Sequence, residues 1–303
     1  MTTSTFKSLK QNRSQDFDRI ASQFKEKNNS QKDERIWKPT RDKAGNGLAV
    51  IRFLPAPEIN GVLEPTPIVR LYHRSFQGPT GKWYIENDLT TIGAKDPVNE
   101  YNRSLVGSEK YENLPEKIKE QLSAQKRKTK FYSNIYVEKD ANNPENEGKV
   151  FLYEYGKLIQ GMIDEKMNPQ FEGDERFMPF DLWEGASFRL KVSSIPKQSW
   201  PSYKKSEWDK VGPLFTGPDA DERMEAVWRQ CYSLQELISP DKFKSPEYLK
   251  NKLDDVLGLN EPKRSSKTLV EEDIPSVKGE IAPWESSDDD ERFFDNIDTI
   301  VED

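Results

Sequence analysis

The sequence has one cysteine, Cys231, and one histidine, His73. A single cysteine excludes an internal disulfide, and the two residues together cannot supply the usual Cys/His ligand set of a structural zinc site. No apolar run approaches the roughly 18 residues that suggest a membrane-spanning helix, and the beginning of the sequence lacks a signal-peptide pattern. We therefore expect a soluble, intracellular protein that has no membrane partner.

The chain is also poor in apolar residues and uneven in charge. Hydrophobic residues make up 34% and charged residues 33%, so we expect part of the chain to stay outside a packed core. Residues 261–303 contain 14 acidic and 5 basic side chains, whereas residues 1–260 contain 39 and 41. The net charge of −7 is thus concentrated in a C-terminal tail. We expect this tail to be disordered and to act as an interaction arm or an internal competitor for a cationic surface.

The strongest local signal is the segment 126–136, in which four cations run into a strand with three aromatic rings: Lys126, Arg127, Lys128, Lys130, Phe131, Tyr132 and Tyr136. A site that binds a polynucleotide single strand without reading its sequence needs positive charge beside rings on which bases can stack. Alternation along the strand predicts Phe131 on the core face and Tyr132 and Tyr136 on the opposite face. Alternatively, the cations end the preceding helix and the rings belong to the core. This segment alone does not decide between the two.

Two earlier strands carry further candidate binding residues. Arg52 lies in an apolar strand at residues 48–54, so it must reach water, a carboxylate or a phosphate, ion pairing being the commoner case. Trp83 and Tyr84 are adjacent in a strand at residues 82–86 and therefore point to opposite faces. One of these rings can fill the core, and the other needs a different role.

Two later segments are also rich in aromatic residues. A strand at residues 150–155 places three rings on one face, where they form either a core layer or a stacking platform: Phe151, Tyr153 and Tyr155. Basic residues alternate with Trp200 and Tyr203 in a loop marked by proline and serine at residues 197–205. Exposed rings on a loop have no core to fill, so this loop favours a binding role.

The helical signals are local. Apolar spacing and capping residues predict three helices: 114–125 after Asn113 as N-cap, 221–238, and one that starts at the Ser245 cap and ends at Gly258. Cys231 lies on the apolar stripe of the second, which indicates a core residue rather than a nucleophile. Residues 1–30 are mildly basic with one narrow apolar stripe, typical either of a docked helix or of an arm that engages a neighbouring subunit.

Taken in order, these stretches resemble the single-stranded DNA-binding (helix-destabilising) proteins of T-even-like bacteriophages. The resemblance rests on five ordered segments: 46–55, 81–86, 126–129, 144–151 and 183–186. It implies an α+β protein with an OB-fold β-barrel core and appended helices at residues 31–260. It also implies a self-association arm at residues 1–30 and an acidic tail at residues 261–303 that recruits replication and recombination proteins.

The resemblance also implies a DNA-binding cleft, which we extend by Lys130 and Tyr136 from the alternation of the strand. The expected DNA-binding residues are Arg52, Trp83, Tyr84, Lys126, Arg127, Lys128, Lys130, Phe131, Tyr132, Tyr136, Tyr153, Trp200 and Tyr203. Phe131 is thereby assigned to DNA against the alternation argument. The basic box that serves self-association in the family is diluted here, and its expected residues are Lys7, Lys10 and Arg13.

One departure from the family pattern concerns zinc. The family has a site of one histidine and three cysteines, and His73 stands where the histidine would be. The cysteine positions between Asp88 and Asn102 are occupied by other residues. We therefore expect no metal and no other cofactor, with packing or a shortened subdomain in place of zinc.

The function that these features predict is cooperative, sequence-independent binding of single-stranded DNA. It would serve phage replication, recombination and repair in the cytoplasm of the infected bacterium. An RNA-binding translational regulator that uses the same cleft is the alternative. An enzyme such as a carboxylate-metal nuclease ranks third, because the sequence has no P-loop and no HExxH motif.

Overall fold

The computed structural model describes residues 33–73, 75–195 and 201–259. The chain divides into two compact units, Met1–Ile36 and Trp37–Asp303. Within the described part of the first unit, the Arg35 guanidinium pairs with the Asp33 carboxylate at 2.8 Å. The fold described below is that of the second unit, apart from Ile36 in the two-residue strand β1.

An antiparallel sheet forms the centre of this unit. Strands β9, β8, β2, β10 and β11 follow one another across it, while β5 also pairs with β8 and β12 with β10. The hairpins β3–β4 and β6–β7 are separate. The strands are β1 (Ile36–Trp37), β2 (Gly47–Phe53), β3 (Glu58–Ile59), β4 (Val62–Leu63), β5 (Ile68–His73), β6 (Phe76–Gln77), β7 (Trp83–Tyr84), β8 (Arg127–Asp140), β9 (Val150–Tyr155), β10 (Ala186–Ser194), β11 (Pro201–Ser202) and β12 (Glu207–Val211).

Helices follow or flank these strands, which makes the fold mixed α+β, as the sequence predicts. The α-helices of the described residues are α1 (Pro97–Val106), α2 (Glu116–Ala124), α3 (Lys157–Met167), α4 (Ala220–Trp228) and α5 (Pro246–Leu257). Short 3-10 helices lie between them. No helix in the described ranges has the length and apolar character required to cross a membrane.

Strand β8 pairs with three other strands of the sheet, β5, β2 and β9. One of its edges pairs first with β5, from His73 opposite Arg127 to Ile68 opposite Tyr132. The same edge then pairs with β2, from Phe53 opposite Ile135 onwards, with a register shift between Val50 and Ile51. A shift of this kind bends the strand and increases its twist. The other edge of β8 pairs with β9.

The main hydrophobic core covers one face of this sheet. Fully buried side chains from three neighbouring strands meet there: Ile51, Phe53, Ile135, Val137, Phe188 and Leu190. Ile159 and Ile163 of α3 cover them. Each large apolar side chain buried in this way contributes about 1.5–3 kcal/mol, so this core positions β8 firmly.

A second core lies under the β6–β7 hairpin, which packs on α5. It joins Phe76, Tyr84, Leu89 and Val98 to Leu249, Leu253, Val256 and Leu257 of α5. The contact is so close that a Cβ atom on Gly78 would lie 2.0 Å from the Val256 carbonyl oxygen. Only glycine therefore allows the hairpin to sit against the end of α5.

The predicted bounds of strands and helices are confirmed where the sequence signal lies within a few residues of the bound. β9 has the predicted bounds. α5 begins as predicted, with the Ser245 side chain accepting the Tyr248 N–H, and ends at Gly258 with φ of 71°. The N-cap prediction for Asn113 is wrong, because α2 starts after Pro115 without a side-chain cap.

The helix predicted at residues 221–238 is also too long, because α4 ends at Trp228. Beyond it, the backbone N–H and carbonyl of Tyr232 bond to the Asn134 side chain, both at 2.9 Å. These long-range bonds compete with helical ones and pull the chain onto the sheet. Cys231 is partly buried against a third apolar cluster, and burial raises the pKa of its thiol to about 12, which confirms the core interpretation.

Candidate nucleic-acid interface

The pairing of β5, β8 and β9 brings charged and aromatic side chains onto one face of the sheet. Arg70 lies directly opposite Lys130 and Tyr72 opposite Lys128, and Glu154 lies opposite Tyr132. Residues directly opposite each other on antiparallel strands project to the same face. We call this surface the β5–β8 face; it comprises Arg70, Tyr72, Lys128, Lys130, Tyr132 and Glu154.

Both Arg70 and Lys130 lie over aromatic rings of this face. The Arg70 guanidinium carbon is 4.6 Å from the centre of the Tyr132 ring. The Lys130 ammonium is 4.9 Å from the centre of the Tyr72 ring. Both distances lie within the range of a cation–π interaction. The cations are therefore held in place against the sheet.

A single carboxylate connects these groups. Glu154 Oε1 accepts a hydrogen bond from Lys130 Nζ at 2.5 Å, and its Oε2 accepts one from the Tyr132 hydroxyl. That hydroxyl in turn accepts from Arg70, whose Nη2 lies 3.6 Å from Glu154 Oε2. Two cations and one phenol thus converge on one anion.

The protonation states follow from these contacts. Burial acts to raise the pKa of Glu154, but the Lys130 charge and the hydrogen bonds from Lys130 and Tyr132 lower it below its ordinary value. Burial, followed by the charge of Glu154, raises the pKa of Tyr132 well above its ordinary value. At neutral pH Glu154 is therefore ionised, and Tyr132 is a neutral hydroxyl donor.

Beside this cluster lies a pocket of about 200 Å³. Its lining contains two cations and a tyrosine ring: Arg70, Tyr72, His73, Ile85, Glu86, Asn87 and Lys130. Glu86 accepts a hydrogen bond from Lys252 at 2.6 Å, which offsets its charge. Arg70 and Lys130 therefore belong both to the pocket and to the cluster around Glu154.

Comparison with known proteins identifies relatives of this chain. Residues 45–257 match the family described as gp32 DNA binding protein like. The chain belongs to this family. Among its relatives are the single-stranded DNA-binding proteins of Enterobacteria phages T2 and T4, each 37% identical over 236 residues, which cover 76% of this chain and 72% of the relative. The single-stranded DNA-binding protein of Escherichia phage SV14 is 45% identical over 74 residues, covering 24% of this chain and 61% of the relative.

In this gp32-like chain, the basic run of residues 126–130 begins one residue before β8 and continues into it, rather than lying on a helix. Lys126 and Arg127 are half-buried and Lys128 is 9% exposed. Arg127 projects to the face opposite Lys128 and Lys130, and its Nη1 donates to the Thr90 hydroxyl at 3.1 Å. The cations of the basic run therefore project to both faces of the sheet. Of these, only Lys128 and Lys130 lie on the same face as Arg70.

The position of Arg52 contradicts its expected place in the DNA-binding cleft. Its side chain is 1% exposed, and its Nη2 donates to the carbonyl oxygens of Asp181 at 2.9 Å and Gly212 at 2.8 Å. The acceptors are backbone carbonyl groups, whereas the sequence favours pairing with a carboxylate as the commoner case. Arg52 instead joins two loops from inside the protein, where a polynucleotide cannot reach it.

Three tyrosines of the expected cleft are likewise core residues. Tyr84 is fully buried and stacks on Phe76 with ring centres 5.1 Å apart, so Trp83 is the half-buried ring of that pair. Tyr153 is 3% exposed and lies 5.4 Å from Tyr155 in a layer of core rings. The three rings of β9 thus form the core layer, not a stacking platform.

Tyr132 is the third of these core tyrosines. Its burial shows that alternation along a strand does not predict which face is exposed to solvent. The argument assigns it to the solvent side, yet the ring is fully buried because Arg70 covers it and Asn134, on the same face, binds the segment at Tyr232. Tyr136 is half-buried, with its ring against Phe215 at 5.6 Å. Both faces of β8 are therefore covered along much of its length.

The remaining residues that we expected in the cleft or in self-association are either half-buried or outside the described residues. Phe131 is half-buried and stacks on Tyr155 at 5.8 Å, which agrees with its place on the core face. Tyr203 is half-buried against the main core. Trp200 lies outside the described residues, as do Lys7, Lys10, Arg13 and the acidic tail.

Sequence reasoning missed Arg70, Tyr72 and Glu154. Arg70 and Tyr72 alternate with apolar residues in β5, where a basic and an aromatic residue two positions apart share one face. That signal was present in the sequence. No signal in the sequence indicated Glu154, because only the pairing of β8 with β9 places it among the cations.

A buried polar cluster near this face contains His73, the residue at which the resemblance implies a zinc ligand. His73, Asp88 and Asp96 are each at most 1% exposed, and their potential ligand atoms all lie within 4.8 Å of one another. His73 Nε2 is 2.7 Å from Asp96 Oδ1 and 3.6 Å from Asp88 Oδ2. The cluster ties the end of β5 to the start of α1, which Asp96 caps.

The contact between His73 and Asp96 in this cluster has the length of a hydrogen bond, shorter than the separation of two ligands on a tetrahedral zinc ion. Two ligands of a tetrahedral zinc ion, with bonds of about 2.0–2.2 Å, lie about 3.4 Å apart, whereas 2.7 Å is a hydrogen-bond length. The carboxylate oxygens of both aspartates also accept bonds from other groups. These donors are the N–H groups of Leu89, Thr90, Val98 and Asn99, the Thr90 hydroxyl and the Asn99 amide.

Proposed function

We propose that this protein binds single-stranded DNA without reading its sequence, through the β5–β8 face and the pocket beside it. The observation that carries this proposal is the placement of Arg70, Lys128 and Lys130 on one face together with Tyr72. Membership of the gp32-like family and the printed names of the T2 and T4 relatives support it.

The chemistry of the face suits a single strand. Arginine and lysine neutralise phosphates, and each phosphate contact on a single strand adds about −0.7 to the slope of log affinity against log salt. Stacking on an aromatic ring contributes about 1–3 kcal/mol per base and tolerates any base. Half-buried Tyr72 and Trp83 are the rings that we assign to stacking.

The finer features of the proposal rest on sequence and resemblance. The antiparallel sheet around β8 forms an OB-fold barrel, residues 1–30 mediate cooperative binding, and residues 261–303 recruit replication and recombination proteins. The protein works without catalysis and without a metal or other cofactor. It serves replication, recombination and repair in the cytoplasm of the infected bacterium.

The test is a titration of the full-length protein into a labelled oligo(dT), followed by fluorescence anisotropy and by tryptophan emission. Binding is expected at low salt, to weaken as salt rises, and to be similar for oligonucleotides of mixed sequence. Failure to bind at low salt would overturn the proposal. A matched oligo(rU) competitor distinguishes the RNA-binding alternative, which requires RNA to displace DNA at lower concentration.

A further inference from the structure

The carboxylate of Glu154 sits where the cationic groups of the β5–β8 face converge. Lys130 and the Tyr132 hydroxyl donate to it, and Arg70 Nη2 is 3.6 Å away. We propose that Glu154 fills a phosphate subsite and competes with the nucleic-acid strand for Arg70 and Lys130. This inference rests on the proposed function and names a residue that limits its affinity.

The donor set is one that a phosphodiester would also use. A phosphodiester resembles a carboxylate in carrying one negative charge and two terminal oxygens, and arginine and lysine bind both through charge-assisted hydrogen bonds. The Tyr132 hydroxyl adds a neutral donor directed at the same point. Glu154 therefore acts as an internal substitute for a backbone phosphate.

The subsite is within reach of solvent. The side chains of Arg70, Lys130 and Glu154 are 21%, 28% and 22% exposed, and both cations also line the open pocket. A strand lying along the pocket can therefore approach them from the solvent side. Each cation has further N–H donors to turn from Glu154 toward a phosphate.

Glu154 has a clear role in the free protein. Arg70 and Lys130 lie directly opposite each other on neighbouring strands, and like charges in this position destabilise a sheet. The carboxylate between them offsets that repulsion while no nucleic acid is bound. Binding must then replace an existing ion pair, so the strand binds less tightly than the cations alone would allow.

The test compares Glu154→Gln with the wild-type protein and with Glu225→Gln. Glutamine keeps the length of the side chain and removes its charge. Glu225 on α4 pairs with Arg229, just beyond the end of that helix, at 2.5 Å, and the Glu225 side chain is 55% exposed, so E225Q removes the same charge outside the face. Affinity for oligo(dT) is measured by anisotropy across a salt series, with the melting temperature of each variant as a check on folding.

We expect E154Q to bind about fivefold more tightly than E225Q at low salt, the effect of removing one partly screened charge. Its salt slope should be steeper by about 0.7, the value of one additional phosphate contact. A second variant, Glu154→Asp, keeps the charge but withdraws the carboxylate from the cations. It should retain the fold and give a smaller gain in affinity.

Equal affinities of E154Q and E225Q, or weaker binding by E154Q, would overturn the competitor role while the proposed function stands. If E154Q does not fold, an affinity of E154D no greater than that of the wild type would overturn it as well. Absence of binding by the wild-type protein would instead overturn the proposed function, and this inference with it.

Discussion

Arg70 and Lys130 face each other across β5 and β8, and both lie within ion-pair distance of the Glu154 carboxylate. The pair is formed by residues 60 positions apart in the chain, on two strands that pair directly with each other. This pairing concentrates positive charge in the lining of the pocket. It is the basis of the first prediction.

Replacing Arg70 and Lys130 together by alanine should weaken binding of oligo(dT) strongly at low salt and little at high salt. The salt slope should fall by about 0.7 for each phosphate contact that is lost. Lys250→Ala is the matched control, because Lys250 is a 66% exposed cation paired with Asp254 on α5. A slope that is the same in the double variant and in the control would show that the face does not contact phosphate.

Arg52→Ala should destabilise the protein rather than weaken its contact with DNA. The change leaves the carbonyl groups of Asp181 and Gly212 without this donor and opens a cavity, at a cost of about 2–5 kcal/mol. Urea unfolding measures the loss. Arg189, whose side chain is 43% exposed and pairs with Asp209, provides the control, and Arg189→Ala should change stability little.

Normal stability of Arg52→Ala combined with lost DNA binding would contradict this assignment. It would return Arg52 to the cleft, where the family resemblance first placed it. Binding measured well below the unfolding midpoint separates the two outcomes, because a folded variant with a structural defect still presents the β5–β8 face.

Acid should weaken the fold partly through Glu154. Its pKa in the folded protein lies below the ordinary value of 4.5, so its ion pairs contribute fully above that pH and are lost as pH falls through the folded pKa. Urea midpoints between pH 6 and about pH 3 should therefore fall less in E154Q than in the wild type. Parallel curves would show that the folded and unfolded pKa values of Glu154 do not differ.

Chelators should leave the melting temperature unchanged, since the cluster of His73, Asp88 and Asp96 has hydrogen-bond geometry. Asp96→Ala should lower stability by about 2–4 kcal/mol, because it leaves buried donors from His73 and Val98 unpaired. Asp255→Ala removes an exposed partner of Lys82 and is the control. A fall in melting temperature with chelator, restored by zinc, would contradict the metal-free cluster.

Deleting residues 285–303 should strengthen DNA binding. This segment holds much of the acidity of the tail and should compete for the same cationic face. The gain should shrink as salt screens both interactions. Equal affinities of the full-length and shortened chains at low salt would exclude the competitor role of the tail.

Several elements of this protein are determined by the sequence alone. The bounds of β9 and the capped ends of α5 follow from alternation, Ser245, Pro246 and Gly258, because these signals act within a few residues. The ordered segments also sufficed to indicate the family. Local steric and hydrogen-bonding preferences act wherever the remainder of the chain lies, so such features can be read without a structure.

Other features were decided only by tertiary structure. Alternation shows which side chains share a face, but not whether a second layer covers that face. Tyr132 became a core ring because Arg70 of another strand lies over it, and Arg52 found carbonyl acceptors at residues 129 and 160 positions away. Glu154 joined the cations through strand register, which long-range packing sets. The physical reason is that burial and charge pairing depend on contacts between residues far apart in sequence.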